Sequence, residues 1–414
     1  MKRTNLLIIV LLLAGAAVFA QSPDMSFYID EYNRQDATLS DMLNVLQMVQ
    51  SENLSGIGGF YQNAINVFIQ RLPNFATNQE RIMVEEASRL IIRGLAAEQQ
   101  TDSAAQVWLL LQYFDIANQQ NDGLLMYEAL VAMGQINATF YTSHIAGFLE
   151  SFNARPTTDA LLKSKIQRVV PGVITALEIL KEPAGVKPVF FASIGWYDNS
   201  VKAIASASLN RLMESLGEVI PDIIIGILRD PLNTASVKNS AWQEFIKIHV
   251  SDESKARVAA VALEQSYVAT SRESAVLLRT MRLSSIDTIR QFGVSDGDIV
   301  YPYIERTYRE SYDTVTADFE MIIMIVRALT AARTDEAVDL LTQFLTGVHN
   351  KRRSGPWGAT ERDLMRVFIQ AIASTGTQST DALRILRMIA GLQNTYTPAE
   401  QQWAKDALSA LNAL

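Results

Sequence analysis

The chain has 414 residues, of which 49% are hydrophobic and 19% charged, so it can bury a large core and does not have the composition of a disordered protein. Its lack of cysteine excludes disulfide bonds, thiolate metal sites, a cysteine nucleophile and a lipid-modified cysteine. The formal net charge of −8 disfavours nucleic acid as a partner, because phosphate binding depends on clustered Lys and Arg side chains.

The first residues have the pattern of a secretory signal peptide. Lys2 and Arg3 precede an apolar stretch from Leu6 to Ala20, which ends in small residues suited to cleavage. The alternative is an uncleaved membrane anchor, but about 15 apolar residues are short against the ~20 that span a bilayer. We therefore expect cleavage of residues 1–20, no membrane span afterwards, a mature net charge of −10, and a periplasmic or secreted bacterial protein.

Apolar residues beyond this leader recur with the spacing of α-helices, and no run alternates as a half-buried β-strand would. Thr77 and Glu80 form a capping-box pattern that predicts a helix over about 78–98, and another helix is expected to start near Asp102. Residues 21–120 are therefore interpreted as an N-terminal helical region, made either of degenerate repeats or of a separate cap.

Two segments further along repeat one pattern, in which a proline opens a first helix, an aspartate marks the turn, and Val-Lys and Ala follow on a second helix. The first contains Pro188, Asp198, Val201, Lys202, Ala205 and Leu209, and the second contains Pro221, Asp230, Val237, Lys238, Ala241 and Phe245. Val201 and Val237 lie 36 residues apart, as do the two alanines. Proline fits the first turn of a helix, and alanine lets neighbouring helices approach closely.

Less regular copies of this pattern occur around Ala129, Ala328 and Ala371. In these features the chain resembles the HEAT-repeat family of armadillo-like α-solenoids, in which antiparallel helix pairs stack into a superhelix. The resemblance implies an all-α array over residues 121–414 and a binding function, since such stacks typically act as interaction platforms. Residues 251–312 fit the repeat poorly and are interpreted either as part of the array or as an irregular insertion.

No catalytic, cofactor-binding or metal-binding residues are predicted. His144, His249 and His349 lie far apart and lack metal-ligand spacing, so each is interpreted as structural or solvated. The sequence Asp-Gly-Asp at 296–298 could in principle hold calcium or serve a glycosidase. It lacks the spaced ligands of an EF-hand, however, and fits a helix-capping turn before Ile299 better.

One candidate partner-binding group is Lys351, Arg352, Arg353 and Trp357. These residues form either a basic loop or a solvated linker. The loop would hold a carboxylate, a phosphate or an acidic partner with the tryptophan as an anchor, whereas the linker would place its cations at the C-terminal end of the preceding helix. Cations are favoured at such an end by the helix dipole.

A second candidate group is Tyr308 and Tyr312, which lie one helical turn apart and form either a sugar or peptide platform or part of the packing between helices. We expect a non-enzymatic scaffold without a cofactor that mediates protein–protein interaction in the cell envelope. The alternative is a helical glycan-binding or glycan-cleaving cell-wall protein. Cleavage would need two carboxylates about 5–10 Å apart, beside exposed aromatic side chains.

Overall fold

The computed structural model describes residues 25–52, 54, 56–75, 80–113, 123–267, 272–312, 317–354 and 357–412. These residues form α-helices joined by turns and short 3-10 segments, and no β-strand occurs among them. The predicted all-α class is therefore confirmed. The predicted leader over 1–20 and the predicted capping residue Thr77 lie outside the described residues, and within them no helix is long and apolar enough to cross a membrane.

The chain divides after Ser215 into two compact units. The helices of the first unit are α1 Met25–Asn33, α2 Leu39–Ser51, α3 Gly58–Arg71, α4 Arg81–Ala97, α5 Ala104–Tyr113, α6 Leu124–Gln135, α7 Thr142–Ala154, α8 Ala160–Leu180, α9 Val186–Ile194 and α10 Asn199–Leu216. The helix predicted over about 78–98 corresponds to α4, and the one predicted near Asp102 begins as a 3-10 turn before α5. The predicted regional boundary at residue 120 falls in 114–122, outside the described residues.

The second unit continues the helical pattern. Its helices are α11 Ile220–Arg229, α12 Ala235–Phe245, α13 Asp252–Gln265, α14 Arg272–Phe292, α15 Gly297–Tyr312, α16 Phe319–Ala332, α17 Asp335–Ser354, α18 Ala359–Thr375, α19 Thr380–Gly391 and α20 Pro398–Asn412. The stretch 251–312, for which an irregular insertion was one interpretation, consists mainly of the helices α13, α14 and α15.

Helices in each unit pack mainly against the next helix in the chain and the next but one. In the first unit α6 packs against α4, α5 and α8, and in the second unit α16 packs against α14, α15, α17 and α18. In the second unit the odd-numbered helices α13, α15, α17 and α19 therefore form one layer, and the even-numbered helices α12, α14, α16, α18 and α20 form the other.

Side chains that bond across neighbouring helices lie roughly one helix pair apart in sequence. In the first unit Arg89 donates to Glu128, 39 residues away. In the second, Arg279 donates to Asp318, also 39 residues away, and the Trp242 indole donates to a serine 42 residues away on α14. These bonds therefore join helices that lie close together in the order of the chain.

The repeated motif supplies the packing that its residue types predicted. Pro221 lies in the first turn of α11, where its missing N–H has no helical partner to lose. Ala205 and Ala241 are fully buried on α10 and α12, as the close approach of helices requires. Lys238 is also buried, and its ammonium group donates to the Gln265 side chain at 2.7 Å, which satisfies a charge that burial would otherwise penalise.

Candidate functional site

The candidate cations Lys351, Arg352 and Arg353 form the last turn of α17, which ends at Ser354. They therefore lie in the helix itself, at its C-terminal end, and form neither the predicted loop nor the predicted linker. Their position complements the negative end of the helix dipole. Residues 355 and 356, which separate them from Trp357, lie outside the described residues.

Lys351 joins the two predicted groups of candidate residues. Its ammonium group lies 4.7 Å from the centre of the Tyr312 ring and 2.8 Å from the Glu361 carboxylate on α18. The hydrogen bond to Glu361 raises the pKa of Lys351, and the same bond lowers the pKa of Glu361. Lys351 on α17 therefore links α15 and α18 through its contacts with Tyr312 and Glu361.

The two tyrosines lie one turn apart on α15, as their spacing predicted, and their rings stack with centres 5.6 Å apart. Tyr308 is only 6% exposed, however, and it stacks on Phe344 with ring centres 3.8 Å apart. Its interpretation as part of a surface platform is therefore wrong, and the alternative of packing between helices is correct. Tyr312 is half-buried at the edge of this aromatic cluster.

Arg352 and Trp357 lie together at the start of a surface groove. The guanidinium group of Arg352 lies 4.6 Å from the centre of the Trp357 ring, and its Nε donates to the Thr395 carbonyl at 3.1 Å. A cation held over an indole face is attracted by the ring quadrupole, so this pair orders both side chains. Arg353, the next residue along α17, is exposed.

The same groove contains a second arginine–tryptophan group. Arg362 and Arg366 lie one turn apart on α18, and their guanidinium groups lie 5.7 and 5.5 Å from the centre of the Trp403 ring on α20. We call the groove formed by Arg352, Trp357, Arg362, Arg366 and Trp403 the arginine–tryptophan groove. Its volume is about 500 Å³.

Two carboxylates also line the arginine–tryptophan groove, but only one of them is open to solvent. Asp363 is exposed, whereas Glu400 is 1% exposed and accepts a hydrogen bond from the Thr397 backbone N–H at 2.8 Å. Glu400 also lies 3.6 Å from Arg362. With three arginines against two carboxylates, the groove is positively charged on a chain whose net charge is negative.

Sequence reasoning found only the Arg352 and Trp357 end of this groove. The other end was missed because Trp403 follows Arg366 by 37 residues, and no short motif connects them. The spacing of Arg362 and Arg366, four residues apart on one helix, was the available signal for a basic surface.

The odd-numbered layer of the second unit carries a groove of opposite charge. Asp298, Glu336 and Asp339 line it together with Tyr301 and Gln343, in a volume of about 610 Å³. All three carboxylates are exposed. The nearby Asp296 accepts a hydrogen bond from the Ile299 backbone N–H at 3.2 Å, which confirms the predicted capping turn before Ile299.

The histidines have the surroundings expected of structural or solvated side chains. His144 and His249 are exposed, and His349 is 2% exposed, with its Nδ1 2.6 Å from the Tyr396 hydroxyl. Among the described residues no group of three or more His, Asp or Glu side chains is placed to hold a metal ion.

Comparison of the sequence with protein-family models gives no match, and comparison with curated proteins gives none either.

Proposed function

We propose that this chain is a HEAT-like α-solenoid that binds a protein partner and performs no catalysis. Support for the solenoid comes from the packing of each helix against its next and next-but-one neighbours, and from polar contacts that recur about one helix pair apart. Such a stack exposes long surfaces without enclosing a catalytic cavity, and binding is the common use of such surfaces.

The arginine–tryptophan groove is the observation that carries the proposed binding function. Tryptophan and arginine are the residue types most enriched among the side chains that dominate protein–protein affinity. Here they are paired by cation–π contacts at 4.6 to 5.7 Å, so the groove has ordered side chains before a partner arrives. Ordering in advance lowers the entropy cost of binding.

We further propose that the protein acts outside the cytoplasm, in the bacterial cell envelope, after removal of residues 1–20. The basic start and apolar core of that segment support export, and the lack of cysteine fits a bacterial compartment better than a eukaryotic extracellular one. No cofactor takes part in the proposed function.

The alternative function is glycan binding or cleavage in the acidic groove, which places Asp298, Glu336 and Asp339 beside Tyr301. An aromatic side chain near carboxylates is a common arrangement for sugars. Glycoside hydrolysis also needs a carboxyl group that remains protonated because it is shielded from water. The exposure of these three carboxylates favours binding over cleavage, and the ordered arginine–tryptophan pairs favour the protein partner over both.

The test is cross-linking in native cells with the tagged full-length chain, followed by identification of what is captured. Arg362→Ser with Arg366→Ser removes two cations from the groove without touching the Lys351 and Glu361 pair. The matched control is Arg384→Ser with Arg387→Ser, which removes two cations from the surface of α19. A protein captured by the wild type and the control, and lost from the groove variant, supports the proposal. Capture of glycan fragments without a protein would overturn it.

A further inference from the structure

Three neighbouring helices of the even-numbered layer of the second unit, α14, α16 and α18, each carry an exposed or half-exposed arginine on one surface. Arg290 and Arg327 of α14 and α16 line a shallow groove of about 600 Å³, together with Val367 and Gln370 of α18. Arg366 lies one turn before Gln370 and lines the adjacent arginine–tryptophan groove. Arg290, Arg327 and Arg366 therefore cross three neighbouring helices, and we call them the arginine row.

Two of the three arginines in the row offer hydrogen-bond donors that the described part of the chain leaves unused. Arg327 and Arg366 are exposed, and neither makes an ion pair or hydrogen bond with any part of the chain that the structure describes. The contact of Arg366 with the Trp403 ring leaves its guanidinium N–H groups available. Arg290 is bonded to Asp287 of its own helix at 2.8 Å and marks the end of the row. Planar donors of this kind match carboxylates.

An extended backbone suits a ligand that crosses the arginine row. Helices packed side by side have axes about 8–10 Å apart, so a ligand that runs across α14, α16 and α18 meets a new helix at about that interval. A polyproline II segment repeats every three residues and advances about 9.3 Å, which places every third side chain on one face at a matching interval. In a β-strand, side chains three residues apart point to opposite faces, and in an α-helix they lie only about 4.5 Å apart along the axis.

Trp403 adds a second reason for a polyproline II ligand. Grooves lined by aromatic side chains are the usual binding surfaces for proline-rich segments, because the rigid chain loses little entropy when it binds. Trp403 is half-buried and lies directly beside Arg366 at the end of the row. We propose that the arginine row and Trp403 bind an extended, proline-rich partner segment that carries an acidic residue at every third position. This inference rests on the proposed function, since it specifies the chemistry of the protein partner.

The experiment measures binding of labelled peptides to the full-length chain by fluorescence anisotropy at low and physiological salt. One peptide is Glu-Pro-Pro-Glu-Pro-Pro-Glu, and the other has the same composition with its three glutamates consecutive. We expect the spaced peptide to bind about tenfold more tightly, as two or three matched exposed charge pairs would produce, and more weakly at higher salt. Arg327→Ser with Arg366→Ser is expected to abolish this preference.

The matched control is Arg309→Ser with Arg387→Ser, which removes the same charge from the other layer and is expected to retain the preference. Equal binding of the two peptides by the wild type would overturn the inference. So would an equal loss of binding in the control, or tighter binding of a single-stranded oligonucleotide than of the spaced peptide. A partner captured through the groove in cells, without any preference between the peptides, would overturn the inference and leave the proposed function standing.

Discussion

His349 provides a test of how the edge of the arginine–tryptophan groove is held. Its side chain is 2% exposed, and burial, with an added contribution from the charge of Arg353, lowers its pKa below the ordinary value of 6.5. Its Nδ1 lies 2.6 Å from the hydroxyl of Tyr396, which follows the carbonyl that Arg352 binds. Folding therefore favours the neutral form of His349.

The direction of the pH effect follows from this lowered pKa. The unfolded chain binds a proton on His349 more readily than the folded chain does. The contribution of neutral His349 to the free energy of unfolding is therefore complete above about pH 6.5. It is lost as the pH falls from about 6.5 toward the pKa of the folded state. For each pH unit by which the pKa of His349 is lower in the folded state than in the unfolded state, about 1.4 kcal/mol of unfolding free energy is lost on acidification.

The perturbation is His349→Phe, which keeps an aromatic ring of similar size beside Tyr396 but removes both the hydrogen bond and the titration. Tyr396 is 3% exposed, so its unpaired hydroxyl is expected to cost about 1–3 kcal/mol of unfolding free energy at pH 8. Between pH 7 and pH 5 the wild type should lose more stability than the variant. The difference between the two proteins should therefore shrink at acidic pH.

The assay is urea unfolding followed by circular dichroism between pH 5 and pH 8. His249→Phe is the matched control, since His249 is exposed and its replacement leaves His349 and its bond to Tyr396 in place. Parallel loss of stability in the wild type and His349→Phe over this range would refute the reasoning, as would a fully stable variant at pH 8.

Three further changes test the packing, each measured by urea unfolding. Tyr308→Ala should cost about 3–5 kcal/mol, because it empties a buried ring site among stacked aromatics. Glu128→Gln should cost about 1–3 kcal/mol of unfolding free energy by weakening the bonds to Arg89 and Arg93. Burial acts to raise the pKa of Glu128, but the two arginines outweigh it and lower the pKa. The stability advantage of the wild type should therefore fade as the pH drops below about 4.5. Gly172→Ala should cost about 1–3 kcal/mol, since its Cβ would lie 2.8 Å from a carbonyl oxygen on α6; Gly147→Ala, with open space around it, should cost far less.

Sequence reasoning predicted those features of this protein that depend on neighbours within one or two helical turns. Periodic apolar residues predicted the all-α class, and Asp296 was correctly assigned as a capping residue. The position of Tyr308 and Tyr312 one turn apart was also foreseen, because residues four apart share one face of a helix. Each of these features is decided by the local backbone, whose geometry is the same in every α-helix.

Contacts between residues about 40 positions apart were decided only by the tertiary structure. Whether Tyr308 lies on the surface or under Phe344 depends on how α15 and α17 are rotated against each other, which the sequence of either helix leaves open. The arginine–tryptophan groove likewise exists because α18 and α20 pack side by side and bring Trp403 under Arg362 and Arg366. Burial and groove formation follow from the register between helices, and that register results from the summed packing of whole faces rather than from any short motif.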